Sequence, residues 1–233
     1  MKMKMKLKIL ITGCNRGIGR GIAETFLELG YEVIGLNKSK SDIDNLNFKE
    51  FICDVSDYDN LNLVFTKLSE ERIDVVIANA GIRKFNNIEN LSVKDWDLSV
   101  KTNLSGVFYL AKLSLKKLRE SCGMFVAIGS HAEKYPFQEG SVYCSSKGGV
   151  RQFIDSFIEE ERYNGIRASY LSIGSVKNRN KGGDESWKLK PSNIGKCIEN
   201  LVCLPKNVLV PYLDIRPLKP KKRDRSIEFL QQV

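Results

Sequence analysis

Thr12-Gly13-Cys14-Asn15-Arg16-Gly17-Ile18-Gly19 is the stretch whose reading decides the fold. An apolar run, Lys8–Thr12, leads into it, and the helical stripe Ile18, Ile22, Phe26 and Leu29 leads out of it. Glycines between a strand and a helix let the backbone turn tightly and come close to a ligand. The helix N-terminus behind them offers free N–H groups and a partial positive charge, which suit a pyrophosphate. A bare tight turn is the alternative, and the strand–loop–helix context favours the anion site.

The same alternation continues along the chain. The runs Glu32–Leu36, Glu50–Cys53, Asp74–Ala78, Met124–Gly129, Arg167–Ile173 and Val208–Val210 read as further strands. They are nearly continuous in apolar residues, as parallel strands covered on both faces must be. Leu61, Val64, Phe65 and Leu68 form a second helical stripe, and Val150, Phe153, Ile154, Phe157 and Ile158 a third. Gly30 and Gly165 fall where helices should stop, in the left-handed conformation that precedes a new strand. Regular strand–helix alternation without a linker or internal repeat predicts one doubly wound α/β domain. Its sheet should hold about seven parallel strands with helices on both faces. The domain is expected over residues 1–217, with a basic tail at 218–233.

Composition narrows the class of function. With 42% hydrophobic and 28% charged residues the chain reads as an ordinary globular protein. The net charge of +9 suggests nucleic acid until it is located. Lys2, Lys4, Lys6 and Lys8 carry it at one end, and Arg216, Lys219, Lys221, Lys222, Arg223 and Arg225 at the other. The body between is close to neutral, so solvated ends are favoured over a nucleic-acid site. Six cysteines without a C-x-x-C pair, and a single histidine, His131, argue against a zinc site and a disulfide framework. They fit a reducing, cytoplasmic setting. Ile11-Thr12-Gly13-Cys14 mimics a lipoprotein cleavage site, but Ile9 to Ile11 is far shorter than the roughly 7–15 residues of a signal core. No stretch approaches the length of a membrane span.

Tyr143-Cys-Ser-Ser-Lys147 places a phenol and an amine one helical turn apart, on one face. An ammonium beside a phenol favours the phenolate, which suits a tyrosine for proton exchange near neutral pH. Taken alone the spacing is a coincidence found in many helices.

The spacing T-G-x-x-x-G-x-G resembles the short-chain dehydrogenase/reductase family in its compact form, and other landmarks follow in order. Asp54-Val55 follows the third strand, where the family binds adenine. Asn79-Ala80-Gly81 resembles the family's N-A-G turn after the fourth strand. Asn103 matches the asparagine of a proton relay. Ser130 lies thirteen residues before Tyr143, the family's usual gap between its catalytic serine and tyrosine. The resemblance runs from Lys8 to about Pro217 and implies a Rossmann-type fold and an NAD(P)-dependent oxidoreductase interconverting a carbonyl and a secondary alcohol. It further implies that Tyr143 exchanges a proton with the substrate oxygen and that Lys147 favours the phenolate and bonds the nicotinamide ribose. Ser130 would donate to the carbonyl oxygen, and Asn103 would hold a water linking Lys147 to solvent. Each has a structural alternative: Ser130 as a cap, Asn103 as a bridge between helices, Lys147 as a solvated charge. The cofactor would lie along Gly13, Asn15, Arg16, Gly17, Ile18, Gly19, Asn37, Lys38, Asp54, Val55, Asn79, Ala80, Gly81, Gly174 and Val176, besides Tyr143 and Lys147.

The end of the second strand bears on cofactor choice. A carboxylate there would accept from a ribose 2′-OH; this chain has Asn37, Lys38 and Ser39, with Arg16 in the glycine loop. Two cations beside the ribose welcome a 2′-phosphate, which favours NADP(H) over NAD(H). The chain departs from the family after the sixth strand, where Ile173-Gly174 replaces Pro-Gly and Asn178 replaces threonine. Val176 can still reach the nicotinamide amide. Residues 177–190 should form a short lid, with Lys177, Arg179, Lys181, Lys188 and Lys190 against Asp184 and Glu185, and Trp187 as its aromatic. That balance points to a small polar or anionic substrate, such as a keto-sugar or a nucleotide-activated sugar. A 3-oxoacyl thioester and a non-catalytic dinucleotide sensor or scaffold are the competing readings. His131 is expected to point away from the substrate. The resemblance also implies a homodimer or homotetramer built through helices at about 97–119 and 143–163.

Overall fold

Residues 6–177 and 185–219 are described by a computed structural model. In chain order the elements are β1 (Lys8–Thr12), α1 (Gly17–Glu28), β2 (Glu32–Asn37), β3 (Phe48–Ile52), α2 (Tyr58–Lys67), β4 (Val75–Ala78), α3 (Val93–Val100), α4 (Gly106–Ser121), β5 (Met124–Ile128), α5 (Ser141–Glu161), β6 (Arg167–Ile173), α6 (Pro191–Cys203) and β7 (Tyr212–Ile215). The strands form one parallel sheet in the order β3-β2-β1-β4-β5-β6-β7. Strand order reverses between β1 and β4, where Ile9 pairs with Val33 on one side and Val75 on the other. A doubly wound sheet opens a crevice at the C-terminal ends of the strands at such a switch point. The loops after β1 and β4 therefore meet there.

Period-two alternation splits the core into two layers. Leu10, Val76, Phe125 and Ala127 face α2, α4 and α5 through Leu61, Leu110, Val150 and Ile154. Ile9, Ile11, Val75, Ile77 and Val126 face α1 and α6 through Ile22, Phe26, Ile194 and Ile198. Fully buried side chains of this size each contribute about 1.5–3 kcal/mol. Gly30 and Gly165 have φ of +79° and +81°, as their helix-ending role requires.

Four local readings are corrected. Leu29 does not complete the first stripe: it is the C-cap of α1, where the helical periodicity has ended, and it is exposed. The third strand begins earlier than Glu50, at Phe48, and as an edge strand it leaves Lys49 and Ile52 exposed. Val208–Val210 is not a strand. The last strand is Tyr212–Ile215, and it carries Asp214 because an edge strand need not be apolar throughout. The helix expected near 97–119 is α3 and α4 joined by one π-helical turn, Lys101–Ser105. The stripes in α2 and α5 are buried as read, with Phe153 partly covered. None of the described helices is long and apolar enough to cross a membrane, and all six cysteines are free thiols.

Candidate active site

The glycine loop is tied to the N-A-G turn across the switch point. Thr12 Oγ1 accepts from the Asn79 and Ala80 N–H groups, both at 3.0 Å. Asn79 Nδ2 donates to Thr12 O and Gly13 O, both at 2.9 Å. Backbone approach is so close that a Cβ on Gly19 would lie 2.2 Å from Gly13 O and 2.4 Å from Asn79 Nδ2. Gly13 itself holds φ at +67°. At the start of α1 no side chain caps the helix and no acidic residue occupies the first turn. A Cβ on exposed Gly17 would meet nothing within 4 Å. Uncapped donors opening on free space fit a pyrophosphate.

The neighbouring residues are held by partners from several segments. Asn37 is buried: its Oδ1 accepts from Cys14 N at 2.7 Å and its Nδ2 donates to Glu50 Oε1 at 2.6 Å. Glu50 also accepts from Ser41 N, so this carboxylate is spent on the loop. Asn15 Nδ2 donates to Ser39 Oγ at 2.9 Å. Lys38 is exposed and pairs with Asp54 at 2.6 Å. Burial pushes the Asp54 carboxyl up, but bonds from Lys38 and Ser56 outweigh it and hold the group below the usual range. Arg16 is exposed, with no ion pair among the described residues. Val55 is buried against Gly106, where a Cβ would meet Val55 O at 3.0 Å.

Ser130 follows β5 and caps a single 3-10 turn, its Oγ accepting from Ala132 N at 3.2 Å. Tyr143 and Lys147 lie on the first two turns of α5, both buried. Lys147 Nζ donates to Ile128 O at 2.8 Å, which brings the ammonium to the end of the strand that delivers Ser130. Burial pushes the Lys147 ammonium down; Tyr143 opposes this, Arg83 adds to it, and Glu133 opposes it. Asn103 is buried in the π-turn, the kind of helix irregularity that recurs at functional sites. Its Oδ1 accepts from Ile82 N at 2.8 Å, and its Nδ2 donates to Ile82 O at 3.0 Å and Ser146 Oγ at 3.1 Å. A Cβ on Gly81 would lie 3.2 Å from Asn103 Oδ1, so the N-A-G turn rests on this asparagine.

Tyr170 is the residue that the sequence reading missed. Its hydroxyl accepts from Ser130 N and donates to Lys147 O, both at 3.3 Å, bracing the serine strand to the tyrosine–lysine helix. Burial pushes its phenol far up, so it remains a donor. A tyrosine in the middle of β6, a strand buried throughout, was the available signal, since a buried hydroxyl needs partners. Gly129 makes room for its ring: a Cβ there would lie 2.1 Å from Tyr170 Cζ.

Two further walls surround Tyr143. Phe85 stands edge-on to the Tyr143 ring at 5.7 Å and to Phe137 at 5.4 Å. On the other side of Ser130, His131 turns toward β7, its Nε2 2.6 Å from Asp214 Oδ1. Arg216 bonds the same carboxylate. Gly174 lies beneath, where a Cβ would meet His131 Cε1 at 3.2 Å. Val176 and Leu189 form a parallel bridge that joins the two ends of the expected lid. Asn178, Arg179, Lys181 and Asp184, and the tail from residue 220, lie outside the described residues.

Comparison with known proteins agrees with this geometry. The short chain dehydrogenase family model matches residues 7–188. The 3-oxoacyl-(acyl-carrier-protein) reductase of Buchnera aphidicola is 32% identical over 177 residues, 72% of each chain. The sepiapterin reductase of Chlorobaculum tepidum is 26% identical over 91% of this chain and 97% of its own. Among solved structures, an alcohol dehydrogenase from the archaeon Thermococcus sibiricus, complexed with 5-hydroxy-NADP, superposes with a TM-score of 0.84 at 26% identity. That match covers 94% of this chain and 99% of the other.

Proposed function

The chain belongs to the short-chain dehydrogenase family, and from that premise we propose that Tyr143, Lys147, Ser130 and Asn103 are the proton-transfer machinery of an NADP(H)-dependent carbonyl reductase acting on a small polar or anionic substrate. As a family member it is an oxidoreductase acting on CH–OH and C=O groups with a nicotinamide cofactor. The nicotinamide supplies or removes the hydride. The protein's task is to hold the carbonyl oxygen and manage its proton. In the reducing direction Tyr143 passes its hydroxyl proton to that oxygen, while Ser130 Oγ–H donates to it as negative charge develops. Lys147 lies one helical turn from Tyr143, where its charge attracts the negative charge left on the phenol oxygen. Both polar ends of the Asn103 side chain are already bonded, so a relay water would be held by its main chain.

The observation that carries this reading is the brace through Tyr170, which fixes Ser130 and Lys147 relative to each other through their own backbone. Rigid support of this kind is what a catalytic constellation needs. The reading is tested by following NADPH absorbance with keto-sugars, 2-oxo acids, 3-oxoacyl thioesters and aldehydes. Turnover of none of them would overturn it. A 3-oxoacyl thioester substrate is the second reading, favoured by the likeness to 3-oxoacyl-(acyl-carrier-protein) reductases and by the exposed apolar surface of Phe85 and Phe137 beside Tyr143.

The preference for NADP(H) rests on Arg16, which is exposed and has no ion pair among the described residues, and on Lys38, whose exposed pair with Asp54 is weak enough to rearrange. The 5-hydroxy-NADP in the archaeal neighbour is consistent with it. Arg16→Ala and Lys38→Ala should each weaken NADPH binding about tenfold, roughly 1.4 kcal/mol, and leave NADH binding nearly unaltered by titration calorimetry. Equal losses for both cofactors would overturn the assignment.

Assembly is proposed through α4 and α5, where Phe108 stays 45% exposed while meeting Phe153 edge-on at 6.1 Å. Light scattering should give a dimer or tetramer, and Phe108→Glu should shift it toward monomer. A monomeric wild type would remove this proposal.

A further inference from the structure

Most arginines among the described residues are spoken for. Arg20, Arg72, Arg119, Arg151, Arg162 and Arg216 each pair with a carboxylate, and Arg167 donates to the carbonyls that end α6. Among the described residues two stand apart with no such partner, Arg16 beside the phosphate loop and Arg83.

The course of the chain around Arg83 is fixed on both sides. Ile82 is held at N and O by Asn103, and Asn86 N donates to Glu139 O at 2.9 Å. Between them the stretch has neither helix nor turn, and exposure alternates along it: Ile82 and Lys84 are half-buried, Arg83 and Phe85 exposed. Lys84 goes one way, to Asp95 on α3 at 2.8 Å. Phe85 goes the other, onto the Tyr143 ring. Arg83 is exposed, as is Phe85 two residues further on. Its charge bears on Lys147, behind the burial of that ammonium and the opposing effect of Tyr143.

A cation set beside a buried lysine repels it, and an anion arriving between the site and solvent relieves that repulsion. The guanidinium presents a planar fork suited to carboxylate or phosphate.

We propose that Arg83 anchors an anionic group of the substrate at the mouth of the Tyr143 site, so that the preferred substrate is a carbonyl compound bearing a carboxylate or phosphate, with its apolar part along Phe85 and Phe137. The proposal rests on the carbonyl-reduction reading for its kinetic arm. Steady-state kinetics with NADPH would compare two matched pairs, benzoylformate with its methyl ester and glycerone phosphate with glycerone. Wild type should favour the anionic member of at least one pair, and the pair that responds identifies carboxylate or phosphate. Arg83→Gln should lower that preference on the order of 10- to 100-fold in kcat/KM, chiefly through KM. Arg83→Lys should keep part of it, and Lys84→Gln, on the other side of the chain, should leave the ratio alone.

A ratio unchanged by Arg83→Gln, or a wild type that prefers the neutral member of both pairs, overturns the proposal. If wild type turns over none of the four compounds, the kinetic arm counts against the reduction reading and calorimetry decides Arg83 separately. Benzoylformate and phenyl phosphate are then titrated into the full-length protein saturated with NADP+. Weaker binding of either probe to Arg83→Gln supports the anchor, and equal binding to both proteins overturns it.

Discussion

Tyr143→Phe is expected to lower turnover by about 10^2- to 10^4-fold, the range that a positioned proton donor contributes, while NADPH binding is retained. The substitution removes one hydroxyl and keeps the ring. The edge contact with Phe85 survives, and the brace between Ser130, Tyr170 and Lys147 does not pass through the Tyr143 oxygen. Folding should therefore be intact, and thermal unfolding would confirm it alongside the rate. The proton acceptor in the substrate would then face water or Ser130 alone. Turnover close to that of wild type would exclude Tyr143 from the chemistry.

Gly19→Ala is expected to damage a different function, cofactor binding, through a purely steric route. The added methyl would sit 2.2 Å from Gly13 O and 2.4 Å from Asn79 Nδ2. Neither atom is the loose end of a long side chain. One is backbone in the loop; the other is the amide that clamps Thr12 and Gly13 to the N-A-G turn. Accommodation must push α1 away from the loop or break the clamp, and overpacking of this kind costs about 1–3 kcal/mol. For a chain of this size the melting temperature should fall by roughly 3–10 °C. NADPH affinity should fall more than tenfold, because the donors at the start of α1 no longer converge. Unchanged affinity together with an unchanged melting temperature would mean that the loop tolerates a side chain and that its close approach is not functional.

Much of this was legible in the sequence for identifiable reasons. The glycine loop, the apolar runs and the two later helical stripes are local patterns enforced by burial on both faces of a sheet, so the parallel sheet and its covering helices follow. Tyr143 and Lys147 were legible as a pair because spacing along one helix is a one-dimensional property, whereas Ser130 and Asn103 were read only through the family resemblance. What escaped depends on partners far along the chain. Tyr170 meets Ser130 and Lys147 from another strand, and the commitment of Asn37 to Cys14 and Glu50, or of Lys38 to Asp54, joins segments that the sequence lists apart. The last strand, Tyr212–Ile215, was passed over for the apolar run Val208–Val210 because edge strands lack the apolar continuity that marks central ones. The break in the helix near 101–105 failed because a π-turn changes hydrogen bonding without requiring glycine or proline.

That π-turn sets the orientation of everything around it. A residue in an α-helix advances about 100° around the axis, so one surplus residue slips the phase of the whole rod. α3 turns Asp95 toward Lys84, on the chain that carries Arg83 and Phe85, whereas α4 turns Val107, Leu110 and Ala111 toward the sheet. A uniform helix would turn different faces to these surfaces at the same positions. The surplus residue acts as a gear change, letting one length of chain serve the rim of the cleft first and the floor of the molecule afterwards.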